Sequence, residues 1–173
     1  MSTFITQKPS NLIRKLLTFT VVLSFFCLGT VAKELNKNNG THILNLSKNE
    51  SLKINVALSM KEQAQGLSGV KSKDFAFDQA MLFVYKQEGY RQFWMPDTHF
   101  DLDIFFLGKN FEVLAVERSI KAHPGMKEPP VIARTQLHKC WYVLETRSDS
   151  PLSKRIKKGM KLSPPQSLLK LIK

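Results

Sequence analysis

Apolar residues recur along this chain in short runs with a period of two, the pattern of strands with one face turned to a core. Leu52, Ile54, Val56 and Leu58 alternate with mostly polar neighbours and predict a half-buried strand. Met81 to Tyr85 predicts a second strand, and Gln92 to Met95 another that Pro96 stops. Trp141 to Glu145 predicts one more. Leu102 to Leu107 is nearly continuous in apolar character, Gly108-Lys109-Asn110 turns the chain, and Phe111 to Val116 returns, the clearest hairpin in the sequence. Helical signals are few. Ser59-Met60-Lys61-Glu62 reads as a capping box opening a short helix that Gly66 ends. Ser150-Pro151 sets a cap before a helix-starting proline, with Leu152 and Ile156 on one face and Gly159 at the close. His123 to Pro130 is too rich in proline and glycine for a regular element. Many short strands with one or two short helices predict a mainly β protein, a small β-sandwich or barrel-like domain.

The ends of the chain differ from this middle. Lys8, Arg14 and Lys15 precede an uncharged apolar run, Leu16 to Leu28, and Thr30-Val31-Ala32 supplies small residues at the positions of a cleavage site. That order is the layout of a secretory signal peptide, and the run is shorter than the roughly 20 residues of a membrane span. Retention as an uncleaved anchor is the alternative. A lipoprotein reading through Cys27 fits poorly, because bulky Phe26 stands before the cysteine. The expected organisation is a signal peptide over 1–32, a polar linker and first strand over 33–50, a β-rich domain over 51–163 and a basic tail over 164–173. At 173 residues the chain has room for one domain with a real core. An exported protein of this kind is expected in the periplasm or secreted.

Charge and cysteine sharpen the picture. The chain carries a formal charge of +12, and its excess gathers at Lys154, Arg155, Lys157, Lys158, Lys161, Lys170 and Lys173, with no acid among them. A basic end with the apolar stripe Leu168-Leu169-Lys170-Leu171-Ile172 after Pro164-Pro165 suits weak contact with an anionic membrane face; a solvated helix face and tail is the plainer reading. On either, removal of the tail after Ser163 is expected to spare the fold. No nucleic-acid module is recognisable. With Cys27 lost in the signal segment, Cys140 is left without an intramolecular disulfide partner, and its apolar setting predicts a buried, inert thiol. The three Asn-X-Ser/Thr sites, at Asn39, Asn45 and Asn49, read as chance matches.

Gly66-Leu67, Met81-Leu82-Phe83, Phe93-Trp94-Met95 with Thr98, Leu102 to Leu107, and Tyr142-Val143-Leu144-Glu145 stand in an order and spacing that resembles the bacterial and archaeal domain-of-unknown-function family 192. The resemblance runs from about Leu52 to Leu162 and implies a small β-sandwich domain, often exported, with no assigned reaction. The chain departs from the family pattern at Pro96-Asp97, where a basic residue and Asn are usual. It departs again at His123 to Pro130, where many members carry two cysteines.

Candidate chemistry is sparse. Asp97, His99, Asp101 and Asp103 stand at steps of two, so an extended segment would turn them to one face and Phe100, Leu102 and Ile104 to the other. Such a set can hold a divalent metal or form a polar strand entry, and no intrinsic metal or cofactor is expected. Asp103 lies in a run apolar on both sides, so it should be buried and paired, with loop N–H groups, Arg91, Arg118 or Arg134, unless it serves a ligand. Phe93-Trp94-Met95 packs in the core or lines an apolar pocket. Of the other histidines, at 42, 123 and 138, His123 has Glu128 or the acidic segment within plausible reach. No nucleophile elbow, phosphate-binding glycine loop or zinc motif occurs. The leading expectation is a non-catalytic envelope module that binds a small molecule or another envelope component in a cleft of Trp94, Met95, Thr98 and Asp103. The rivals are a metal-dependent or acid/base hydrolytic enzyme using Asp101 and Asp103, and a purely structural protein.

Overall fold

A computed structural model describes residues 41–172. The signal-peptide segment, Cys27 and nearly all of the polar linker lie outside the described residues. In chain order the elements are β1 (His42–Asn45), β2 (Ser51–Ala57), α1 (Met60–Gln65), a 3-10 turn (Ser72–Asp74), β3 (Gln79–Arg91), β4 (Leu102–Leu107), β5 (Val113–Ile120), β6 (His138–Arg147), α2 (Pro151–Arg155) and α3 (Gln166–Leu171). The strands form one six-stranded sheet in the order β1-β2-β3-β6-β4-β5. All neighbours are antiparallel except β2 and β3, which run parallel.

The mainly β class with short helices holds, but the sheet is single and open rather than a sandwich or a closed barrel. Parallel neighbours need a crossover, and the chain supplies it with α1 and the 3-10 turn between β2 and β3. A sheet whose two faces are covered by helices and connecting segments buries its apolar residues without a second sheet. On one face Leu44, Ile54, Leu82, Phe105 and Leu144 pack with Ile156, Leu162 and Leu168 of the C-terminal stretch. On the other, Met81, Phe83, Ile104, Phe106 and Val143 pack with Leu67, Phe75, Met95 and Ile132. Strand β4 is buried at every position, which explains its uninterrupted apolar run.

Two local expectations change. Gln92 to Met95 is no strand of the sheet. It joins an outlying pairing, Trp94 with Arg134, fixed by Met95 N–H donating to Ala133 O at 3.2 Å and Thr135 N–H to Phe93 O at 2.8 Å. Pro96 removes a donor and Asp97 turns to φ 49°, so the segment lies over the sheet instead of extending it. The C-terminal tail is also part of the fold. Leu168 is fully buried, Leu169, Leu171 and Ile172 pack against the same cluster, and Ser163 pairs with Asn45. The apolar stripe that suited a membrane face is turned to the core, and truncation after Ser163 removes core side chains.

Candidate functional site

A cleft opens on the second face of the sheet. Its walls are the end of α1 with the turn after it (Gln63 to Ser68), Phe83 of β3, Phe93 to Pro96 with Thr98, and Leu102 and Glu145 of the sheet beneath. Each wall is placed by local chemistry. Ser59 and Glu62 complete the capping box, Glu62 N–H donating to Ser59 Oγ at 3.2 Å and Ser59 N–H to Glu62 Oε2 at 2.8 Å. Gln63 Nε2 donates to Val84 O at 2.7 Å and holds α1 over β3. The helix closes at Gly66, at φ 48°, where a Cβ would stand 3.2 Å from the Phe83 ring; only glycine accepts both the dihedral and the close approach. The opposite wall is held by Phe93 N–H to Thr135 Oγ1 at 3.0 Å and Gln92 Nε2 to Thr135 O at 2.9 Å. Phe83 and Phe93 meet edge to face, ring centroids 4.9 Å apart. The free volume is about 60 Å³, room for roughly four water-sized groups.

Glu145 lies at the floor. Its backbone sits at the middle of the sheet, opposite Met81 of β3 and Ile104 of β4. It is 4% exposed, and among the described residues its Oε2 has no hydrogen-bond partner. Burial alone pushes its carboxyl up to about 8. It is the sole ionisable side chain among the residues lining the cleft. Tyr85, half-covered on β3, is also pushed up by burial, and the charge of Glu145 adds to that rise.

Asp103 has a different setting. It projects from β4, and three donors converge on it: Arg118 Nη1 at 2.6 Å, Ser119 N–H at 2.8 Å and Ser153 Oγ at 2.6 Å. Arg118 also donates to the carbonyls of Ser153, at 2.9 Å, and Ile156, while Thr146 Oγ1 donates to Ser153 Oγ at 2.8 Å. This network, in which Asp103, Thr146 and Ser153 are buried and Arg118 is partly exposed, pins α2 to the sheet. Of the three arginines considered for Asp103, Arg118 is the partner; Arg91 lies over the Tyr85 ring at 4.1 Å and Arg134 over Trp94 at 5.6 Å.

The structure therefore brings Trp94, Met95 and Thr98 to one cleft, and Asp103 is not among its lining residues. The four alternating polar residues also part company. Asp97 accepts from Gly125 N–H at 3.1 Å and meets His99 Nε2 at 3.2 Å, and that same nitrogen lies 2.9 Å from Lys71 Nζ. Asp101 accepts from Lys121 Nζ at 2.8 Å and Ala122 N–H at 2.9 Å. Among the described residues no three His, Cys, Asp or Glu side chains group closely enough to hold a metal. His123 is buried with its Nε2 on Lys127 O at 3.0 Å, and Glu128 instead accepts from Ile132 N–H. Cys140 is fully buried and its thiol is pushed up to about 11, chiefly by burial.

Sequence reasoning passed over Glu145 as a site residue. The signal was present: a lone acid continuing the run Cys140 to Leu144, in a strand apolar on both faces.

The chain matches the model of domain-of-unknown-function family 192, described as "Uncharacterized ACR", over residues 42–164. It belongs to that family. Among solved structures it is similar to a Sinorhizobium meliloti protein provisionally named a transcription regulator, with a TM-score of 0.59 and 20% identity, over 75% of this chain and 97% of that one. It is also similar to a protein of unknown function from Novosphingobium aromaticivorans, with a TM-score of 0.55 and 21% identity, over 72% of this chain and 84% of that one. At these identities the likeness shows the fold alone. No curated protein matches the chain.

Proposed function

We propose that the protein is an exported, non-catalytic module that binds a small ligand in the cleft between α1, the 93–98 segment and β6. The observation that carries this reading is the buried Glu145, whose Oε2 has no hydrogen-bond partner among the described residues. Burying a carboxyl without a hydrogen bond costs several kcal/mol, so a purely structural acid acquires partners, as Asp103 does. The sheet positions beside Glu145 are Met81, Ile104 and Val143, and a leucine would fill that floor at lower cost. An acid kept there against stability is the mark of a binding position, and Trp94, 54% exposed at the rim, gives the ligand an aromatic edge to enter past. Against the hydrolase reading, all four carboxylate oxygens of Asp101 and Asp103 already accept hydrogen bonds. Export rests on the charged, apolar and small-residue order of the first 32 residues.

Native mass spectrometry of the protein purified from its source cell tests the binding reading. A small non-covalent adduct is expected, lost in a folded Glu145→Leu variant. A bare protein mass, together with no compound raising the melting temperature in a metabolite screen, removes the reading.

A further inference from the structure

We infer that the cleft takes a small organic cation, an ammonium or guanidinium group of a few heavy atoms, with the Glu145 carboxylate as its counter-charge. The inference rests on the cleft being a ligand site and adds the class of ligand. The lining holds one acid and no Lys, Arg or His. Above about pH 8, where Glu145 ionises, an anionic ligand would meet a carboxylate with no basic group in the lining to offset it. Three other polar side chains of the lining are engaged, Gln63 Nε2 on Val84 O, Gln65 Nε2 on Ser68 O at 2.6 Å and Thr98 Oγ1 on Pro96 O at 3.4 Å, and Ser68 Oγ reaches Met126 Sδ at 4.0 Å. Among the described residues Glu145 Oε2 is the buried polar side-chain atom of the lining left without a partner. Phe83, Phe93 and Trp94 also line the cleft, one face of Trp94 carrying Arg134 at 5.6 Å, and aromatic ring faces attract cations rather than anions. A space of about 60 Å³ holds a few water-sized groups, enough for a compact head group.

Binding of a cation must expel a proton. The empty site keeps its carboxyl protonated to about pH 8, because burial penalises the charge. A cation fitted against it restores the ionised form, so its affinity falls about tenfold for each pH unit below that value and levels off above it. Few other charges face Glu145. Tyr85 on β3 does, with Arg91 over its ring. Glu62 of α1 is folded onto Ser59, and Asp97 of the 93–98 segment is turned to Gly125 and His99.

An NMR titration of the full chain tests this, following the Trp94 indole N–H and the Glu145 carboxyl carbon. The probes are guanidinium at non-denaturing millimolar concentration, its uncharged isostere urea, and acetate. Guanidinium should shift both signals, at least tenfold more tightly than urea or acetate, with the stated pH slope. Glu145→Gln should abolish that response while the rest of its spectrum stays native. Urea binding as tightly as guanidinium, acetate binding that strengthens below pH 8, or guanidinium producing no response at these two groups each overturns the cation assignment. A native-mass adduct of neutral or anionic composition also overturns it, while leaving the cleft as a ligand site.

Discussion

Replacing Glu145 by glutamine should make the protein more stable, and by an amount that depends on pH. The unfolded chain releases the Glu145 proton near its ordinary value of 4.5, whereas the folded chain holds it to about 8. Below 4.5 both states carry the proton and the residue costs the fold nothing through ionisation. Between the two values the unfolded state ionises first, so stability falls as pH rises, by about 1.4 kcal/mol per unit. The accumulated loss is at most about 3 kcal/mol at pH 7 and about 5 kcal/mol above pH 8, less whatever solvation water in the cleft restores. Glutamine has the same shape and no charge, so it removes the slope. Other shifted groups act outside this window. Glu50, Glu62, Asp101 and Asp149 are held below the usual carboxylate range and lose their contribution only on acidification, and the Cys140 thiol matters only above its ordinary 9. Urea melts of both proteins at half-unit steps from pH 5 to 8.5 read the effect directly. A wild-type midpoint that stays flat across that range, or a glutamine variant less stable at pH 8, would refute a buried, unpartnered carboxyl.

Asp103→Ala should destabilise by about 2–4 kcal/mol, because Arg118 and Ser153 lose a buried acceptor; chemical denaturation measures it, and the cleft, which Asp103 does not line, should keep its ligand response. Leu168→Ala should cost about 2–5 kcal/mol, and truncation after Ser163 more, both visible as lower melting temperatures; an unchanged melt would place α3 off the core. Cys140 should react with a thiol reagent only in denaturant, and rapid labelling of the native protein at pH 8 would contradict its burial. N-terminal sequencing of the mature protein is expected to begin at Lys33, and a soluble cytoplasmic form beginning at Met1 would remove the export proposal.

The parts legible in the sequence were those fixed by neighbours. Period-two alternation located β2, unbroken apolar runs located β4 and the middle of β6, and the Ser59/Glu62 box located α1, since each depends on residues a few places apart. Segments whose partners are distant were misread. The 92–95 stretch has strand composition, but its hydrogen bonds go to residues 133–135, and nothing local reveals the positive φ at Asp97. The tail seemed free because its apolar stripe has no nearby mate; it packs on strands at the other end of the chain. Asp103 and Glu145 pose the same problem, an acid in a buried run. Only the fold tells them apart, because Arg118 reaches Asp103 across 15 positions and Ser153 across 50, and among the described residues no hydrogen bond reaches Glu145 Oε2.

Strand β6, the last made, is laid between β3 and β4, so that Leu144 pairs with both Leu82 and Phe105. A growing chain that has not reached His138 therefore carries two unfinished halves, each with a sticky apolar border where β6 will lie. Such open borders invite other chains to fill them, and pairings this far apart along the sequence form slowly. The floor of the cleft arrives with the same strand that seals the halves together. On the proposed binding role, a form that lacks β6 cannot hold a ligand, and occupancy of the cleft by a test cation would report that β6 has joined β3 to β4.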